Sequence, residues 1–293
     1  MIRCEAAPVR RFLIDRITPT GRIHQDIDDL PVEEPLEIRY GTGNAEPHVT
    51  VTMRSPGADD LLAAGFLFTE GIIRNVGDIE GIEQEGRNAV HVRLNARVQD
   101  RNFQQAAREG QSRHSFISSS CGACGKQSIA AIGLNRRFRT QPGVPTFTAD
   151  YIHRLPEALR HSQTAFSRTG GTHASGLFDL NGNLRFQHED VGRHNALDKV
   201  IGSELLANRL PLWDCVLLLS GRVSFELVQK AAAAGIPVIA AVGAPSSLAV
   251  ELARECGTTL LGFVRENRFN IYSDSGRIAA DSSVRQSVSS PTI

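Results

Sequence analysis

The sequence predicts an α/β protein in which a smaller α+β unit precedes a second unit built on parallel strands. Three observations predict it. Runs at Cys215–Leu219, Pro237–Val242 and Thr259–Val264 read as buried strands and alternate with helical patterns at 224–234 and 246–255, the order that gives parallel strands joined by right-handed crossovers. The first half instead shows paired β-rich runs around a single helix signal. Between them Thr140-Gln141-Pro142-Gly143-Val144-Pro145 reads as a linker, because proline removes backbone donors and fixes an extended backbone. The expected units are therefore 8–140 and 146–273.

Taken in order, Leu36–Tyr40 and His48–Arg54 are β-rich runs separated by Gly41-Thr42-Gly43-Asn44, a hairpin with a longish loop. Ser55 as N-cap and Pro56 at the first helical position open an apolar stretch through Leu61, Leu62, Gly65 and Phe66, which Gly71 closes. Segments 78–84 and 88–95 are two more strands around Gly86-Arg87. From Gln104 to Ser120 the chain is polar, and a helical pattern resumes from Gln127 to Leu134, so Cys121 and Cys124 are expected on a mobile loop entering a helix. In the second half Leu177–Leu180 and Leu184–Gln187 flank Asn181-Gly182, a dipeptide that takes the positive dihedrals of a tight hairpin turn. A helix over roughly 194–208 leads into the strand–helix alternation. The serine-rich tail, 274–293, is expected to be disordered.

Composition excludes several function classes. The 293 residues are 41% hydrophobic and 22% charged, with 32 basic residues against 32 acidic ones. That balance draws the protein neither to nucleic acid nor to an anionic membrane, so any anion site must be local. The N-terminus lacks the apolar run of a signal peptide and no segment approaches the ~20 apolar residues of a spanning helix; a cytoplasmic location is expected. Five cysteines with one close pair make no disulfide framework. The lysines are Lys126, Lys199 and Lys230, each within a motif-like stretch.

In an open α/β sheet, ligands sit beyond the carboxyl ends of the strands. The residues there are Ser220-Gly221-Arg222, Gly243-Ala244-Pro245-Ser246 and Arg265-Glu266-Asn267-Arg268. They offer close backbone approach, hydroxyls and three guanidiniums, and two of the loops run into helix N-termini, which favour phosphate. Each loop alone is as readily a set of caps and turns; three converging on one edge favour a nucleotide or pyrophosphate. Arg265 and Arg268 are the expected phosphate ligands. Two further clusters are dense in functional residue types: Phe166 to His173, with Gly170, Gly171 and Thr172, and His188 to Asn195, with Asp190 and His194. His173 and His194 lack the paired spacings of a zinc site and are assigned to ligand contacts. Asp190 or Asp198 suits a purine edge or ribose hydroxyls, and equally the capping of the following helix.

The pair Cys121-Gly122-Ala123-Cys124 has no two further cysteines well placed for zinc, since Cys4 is near the terminus, Cys215 opens an apolar strand and Cys256 stands alone. A thioredoxin-like centre follows a strand, whereas this pair follows a polar loop. What survives is nucleophilic sulfur chemistry: a thiolate at a helix start near Lys126 has a pKa below the free value of ~8.5 and can meet two partners in turn.

The stretches Ser119-Ser120-Cys121-Gly122-Ala123-Cys124-Gly125, Arg168-Thr169-Gly170-Gly171-Thr172-His173, Glu189 to Lys199, Ser220 to Glu226, Gly235-Ile236-Pro237, Gly262-Phe263-Val264-Arg265 and Phe269-Asn270-Ile271-Tyr272 together resemble the formate dehydrogenase accessory sulfurtransferases, the FdhD family. The resemblance covers nearly the whole chain. It implies that a cysteine desulfurase loads sulfur on the CxxC loop, with Cys121 as the persulfide cysteine. That sulfur would pass to bis-molybdopterin guanine dinucleotide before this cofactor enters formate dehydrogenase. It also implies a homodimer, a cytidine-deaminase-like three-layer α/β fold for the C-terminal domain, and a cofactor-binding stretch from Phe263 through Val264, Arg265, Glu266 and Asn267 to Arg268. The deaminases' HxE and PCxxC zinc signature has no counterpart in the second half, so deaminase chemistry does not transfer with the fold, and no tightly held metal is expected. A cofactor-holding chaperone in which the cysteines only clamp the metal, and a structural zinc at the pair, remain as alternatives. Whether Cys124 carries, accepts or protects the sulfur stays open.

Overall fold

The computed structural model describes residues 9–43, 46–98, 138 and 140–279. Cys121 and Cys124, and the helical pattern expected after them, lie outside the described residues. The chain opens with a two-stranded antiparallel hairpin, β1 (Val9–Thr18) and β2 (Gly21–Pro31), which sequence reading did not anticipate. Four further strands form a second sheet: β3 (Glu34–Gly41), β4 (His48–Arg54), β5 (Ile79–Gln84) and β6 (Ala89–Leu94), in the order β4-β3-β6-β5. β3–β4 and β5–β6 are the antiparallel pairs the sequence predicts, and β3 pairs with β6 in parallel.

Helix α1 (Asp59–Thr69) starts later than expected. Its N-cap is Ala58 in the left-handed region (φ 54°), with no side-chain cap. Ser55 is used elsewhere: its N–H donates to Asp190 Oδ2 (3.1 Å) and its Oγ accepts from the Val191 N–H (3.1 Å). A serine expected to cap a helix therefore ties the two halves of the chain together.

The second half builds a six-stranded sheet from β8 (His173–Phe178), β9 (Leu184–Asp190), β10 (Val216–Leu219), β11 (Val238–Ala241), β12 (Thr259–Arg265) and β13 (Arg268–Ser273), in the order β13-β12-β11-β10-β8-β9. β10, β11 and β12 run parallel, as the alternation predicts, with the β8–β9 hairpin on one flank and β13 antiparallel on the other. Along these strands alternate side chains serve opposite faces. Leu217, Leu219, Ile239, Ala241 and Leu260 face helices α4 (Arg193–Leu206), α5 (Phe225–Ala233) and α6 (Ser247–Cys256). Val216, Leu218, Val238, Ala240 and Leu261 face α2 (Ala149–Ser162), through Tyr151, Ile152, Leu155 and Leu159. The result is a three-layer α/β arrangement. Helix α2 also escaped the sequence reading, because Pro156 in its interior reads as a helix breaker.

The first core cluster joins Leu36, Ile38, Val90 and Val92 of the four-stranded sheet, through α1 and α4, to Leu217 and Ile239 of the six-stranded one. The boundary between the two clusters thus follows the large sheet rather than the expected linker. Residues 140–145 are packed down: Arg277, fully buried, donates to the carbonyls of Gln141 (2.6 Å), Val144 (3.0 Å) and Gly257 (2.8 Å). The start of the expected disordered tail is likewise ordered, since β14 (Ile278–Ala279) pairs in parallel with β7 (Phe147–Thr148). A buried guanidinium with three carbonyl partners is the device that holds both segments.

Candidate functional site

The carboxyl ends of β10, β11 and β12 lie side by side, and the loops after them are fastened to one another. Gly243 N–H donates to Gly221 O (3.0 Å), Val223 N–H to Ala244 O (3.0 Å) and Phe263 N–H to Gly243 O (3.1 Å). Gly243 must be glycine, since a Cβ there would sit 2.7 Å from the Gly221 carbonyl carbon and oxygen. Because β8 runs antiparallel to β10, its first residues reach the same edge. Ser220 N–H donates to Ala174 O and the Ala174 N–H donates to Ser220 Oγ (2.8 Å), which brings His173 against Gly221.

Beyond this edge is a cleft of about 1090 Å³, at the upper end of the usual range for ligand pockets. One wall is the expected one: Gly170, Gly171, Thr172, His173, Ser220, Arg265, Glu266, Asn267 and Arg268 all line it. Gly170 closes helix α3 (Thr164–Thr169) in the left-handed region (φ 66°). Gly171 is pressed against Pro31 of the hairpin, where a Cβ would come within 2.7 Å of its ring. The other wall was missed apart from Phe166, which opens one of the clusters singled out in the sequence. It comes from α2 and α3 and includes Glu157, Arg160, His161, Gln163 and Phe166, with the Arg160 guanidinium 4.7 Å from the Phe166 ring centroid.

Charge in the cleft is positive by one, from Arg160, Arg265 and Arg268 against Glu157 and Glu266. Arg265 is partly committed, its Nη1 donating to Val242 O and Val264 O (both 2.8 Å), while the Arg268 side chain is exposed and makes no hydrogen bond or ion pair among the described residues. Burial, and then the cations Arg193 and Arg222, hold the His173 imidazole below its ordinary pKa. The neutral ring is thus the form present near pH 7. A concave site with exposed guanidiniums, backbone approachable at glycines and a flat Phe166–Arg160 wall suits an anionic ligand with a planar ring.

Several expected contacts are not in the cleft. Asp190 is fully buried and bonds Lys199 Nζ (2.7 Å), the Ser55 N–H and the Gly192 N–H. Asp198 is likewise spent on Lys230 Nζ (2.8 Å) and on Thr69. His194 is buried against Ser224 Oγ (3.3 Å) and Glu226. Val264 points into the second core cluster. Phe263 is exposed, with φ 54°, at a break in the β12–β13 register, and Arg222 is exposed; neither lines the cleft. The acids and His194 sit in a glycine-bounded, polar stretch that looks like a binding loop, yet the acids satisfy a buried interface between the two halves and His194 is spent on Ser224 and Glu226 within the second.

Of the remaining cysteines, Cys215 is buried beside Asp214 and Arg185. Burial and the neighbouring Asp214 carboxylate push its thiol up to about 12, so it is no nucleophile at neutral pH. Among the described residues no three His, Cys, Asp or Glu side chains are grouped as metal ligands, and no helix is long and apolar enough to cross a membrane.

Comparison with known proteins covers both the cleft and the cysteine pair. The chain is 44% identical to the sulfur carrier protein FdhD of Nocardia farcinica over 277 residues, 92% of this chain and 94% of that one. It is 48% identical to the protein of that name from Mycolicibacterium paratuberculosis, over 86% and 92% of the two chains. The Saccharolobus solfataricus protein of that name is 39% identical, over 92% and 98%. The fold is similar to the crystal structure of a Desulfotalea psychrophila protein described as a candidate formate dehydrogenase accessory protein. There the TM-score is 0.70 at 25% identity, over 93% of this chain and all of that one. The FdhD/NarQ family model matches residues 31–279, a span that takes in the strand-end cleft together with Cys121 and Cys124. With that match and relatives this similar over nearly their whole length, the chain belongs to the FdhD/NarQ family.

Proposed function

We propose that this protein is a sulfurtransferase that serves formate dehydrogenase maturation. Cys121 takes sulfane sulfur from a cysteine desulfurase as a persulfide and passes it to bis-molybdopterin guanine dinucleotide. The observation that carries this reading is the cationic strand-end cleft on a chain whose relatives are named sulfur carriers. A carrier needs a place to hold the recipient and a thiol to hold the sulfur. The cleft supplies the first: Arg268 and Arg265 contact the pyrophosphate, for which the planar guanidinium fork is well matched. Gly170, Gly171 and Ser220 let the ligand approach the backbone. Thr172 and His173 line the ring side. The cofactor is substrate here, not a resident group.

Cys121 supplies the second requirement. Sulfur enters when the Cys121 thiolate attacks the outer sulfur of the desulfurase persulfide and the desulfurase thiolate leaves; it departs at the sulfide level when a second thiol attacks the Cys121 sulfur, the disulfide so formed taking up the two-electron oxidation. Cys124 is the neighbouring thiol of the same motif. Cys215, buried and protonated, is unsuited to the task.

The working location is the cytoplasm, where thiols stay reduced, and the working form is a homodimer. Support for a second copy comes from the hairpin, which exposes Phe12, Leu13, Ile17, Ile23, Ile27 and Leu30. Its charges are largely paired within the chain, Arg16 with Asp26, Arg22 with Asp15 and Asp29 with Arg168, which leaves the apolar side chains as the surface for a second copy. The solution mass of the purified chain tests it.

Replacing Cys121 separates the sulfur carrier from a cofactor-holding chaperone. Cys121→Ala should abolish formate dehydrogenase activity in cells that have only this variant, while guanosine diphosphate still binds the purified protein. Wild-type enzyme activity in that strain would leave holding, not sulfur transfer, as the function.

A further inference from the structure

The wall of the cleft opposite the strand ends holds a polar group with nothing to bond. Gln163 stands between α2 and α3 and is only 4% exposed. Its backbone is fully engaged: the N–H donates to Arg160 O, and the carbonyl accepts from the Ser167 N–H (3.1 Å) and hydroxyl (2.6 Å). Its side-chain Nε2 has no acceptor among the described residues, although the residue lines the cleft beside Phe166, Thr172 and His173. A buried amide donor left unbonded is unfavourable, and native folds keep one where water or a ligand completes it.

The kind of ligand group follows from its chemistry. The arginines of the cleft offer charge, which suits phosphate oxygens and tells one nucleotide from another poorly. A neutral, directional N–H held by packing suits a carbonyl oxygen on the edge of a planar ring. The Arg160 guanidinium, stacked over the Phe166 ring, gives the ligand's ring a flat surface to lie against.

We propose that Gln163 is the base-reading residue of the cleft, its Nε2 donating to the carbonyl O6 of guanine. The proposal rests on the cleft being the guanine nucleotide site and names what makes it select guanine. Adenine carries an amino group where guanine carries O6, so it would set donor against donor. The competing account is internal. Gln187, whose Nε2 donates to Ser162 O, leaves its Oε1 without a partner, and a water shared by the two amides would satisfy both with no ligand involved.

Calorimetric titration of the full chain with guanosine diphosphate, adenosine diphosphate and inorganic pyrophosphate separates these accounts. Wild type should prefer the guanine nucleotide. Gln163→Leu should lose roughly five- to tenfold in guanosine diphosphate affinity, the scale of one neutral hydrogen bond, and nothing for the other two ligands, so that the preference collapses. Gln163→Met keeps the length without the donor and adds no charge; it should behave alike and serves where Gln163→Leu does not fold. Arg268→Ala should weaken all three ligands together. Unchanged guanosine diphosphate affinity in both Gln163 variants, or an equal loss for all three ligands, would overturn the assignment. A wild-type protein that binds none of the three would instead remove the nucleotide reading of the cleft, and this assignment with it.

Discussion

Lys199 and Lys230 are two of only three lysines in the chain, and both are almost completely buried, at 2% and 4% exposure. Lys199 joins Asp190 to the Ser55 carbonyl, and Lys230 joins Asp198 to Thr69. Each pair therefore bridges the first half of the chain to the second. Residue types alone could not distinguish these pairs from ligand contacts, since aspartate beside glycine and lysine fits both. Only the facing element, α1 with the Ser55 segment, decides it. A titrating group sits in the same layer. His188 on β9 lies opposite Ser175 on β8, and neither His188 Nε2 nor Ser175 Oγ has a partner among the described residues. Burial first, and then the Lys199 charge from α4, lower the His188 pKa to about 4, against a smaller opposite pull from Asp60 on α1. Between pH 6.5 and about 4 the unfolded chain therefore binds a proton that the folded chain refuses. Stability from this residue is complete above pH 6.5 and is lost as pH falls through that window, by about 3 kcal/mol in all. Urea unfolding across this range should show the decline, and His188→Leu should flatten that part of it. A variant with the wild-type slope would mean that other groups carry the acid sensitivity.

At the scale of elements, the contact between α1 and α4 is set by two glycines. A Cβ on Gly65 would lie 1.9 Å from Asp198 O, and one on Gly202 1.9 Å from Leu61 O. Glycine inside a helix normally costs about 1 kcal/mol against alanine; here it lets two backbones touch. Gly202→Ala should force the helices apart and lower stability by about 3 kcal/mol or more, beyond ordinary overpacking because backbone atoms cannot rotate aside. Equal urea midpoints for variant and wild type would show that the helices yield freely. The elements legible in the sequence were those whose pattern matched their burial. β10, β11 and β12 are apolar on both faces because helices cover both, and β8–β9 is announced by Asn181-Gly182 at its turn, with Gly182 at φ 84°. The β1–β2 hairpin was illegible because its apolar side chains face outward, so their spacing marks no core. Helix α2 has apolar residues at Tyr151, Ile152, Leu155 and Leu159 and a Thr148 cap, but Pro156 interrupts the reading. That lost helix cost most of the second wall of the cleft, including Glu157, Arg160 and Gln163 at its end.

At the scale of the whole molecule, Arg277 makes the expected linker a packed strap, the two buried lysines bridge the halves of the chain, and the first core cluster runs from the four-stranded sheet to one face of the six-stranded one. The strand-end cleft survived that revision. Its position depends only on parallel strands ending together, which the alternation of strands and helices already implied. The site is thus legible where topology places it, and illegible where side chains of the following helices turn toward it or away from it. In the proposed function, holding the recipient and carrying the sulfur are separate tasks, and the second is assigned to Cys121. Mass spectrometry of the full-length protein after incubation with a cysteine desulfurase and cysteine tests it most directly. The account predicts an adduct of about 32 Da, one sulfur atom, on the peptide containing Cys121 and Cys124, absent from Cys121→Ala and discharged when the molybdenum cofactor is added. An unmodified peptide, or an adduct that persists in Cys121→Ala, would contradict it.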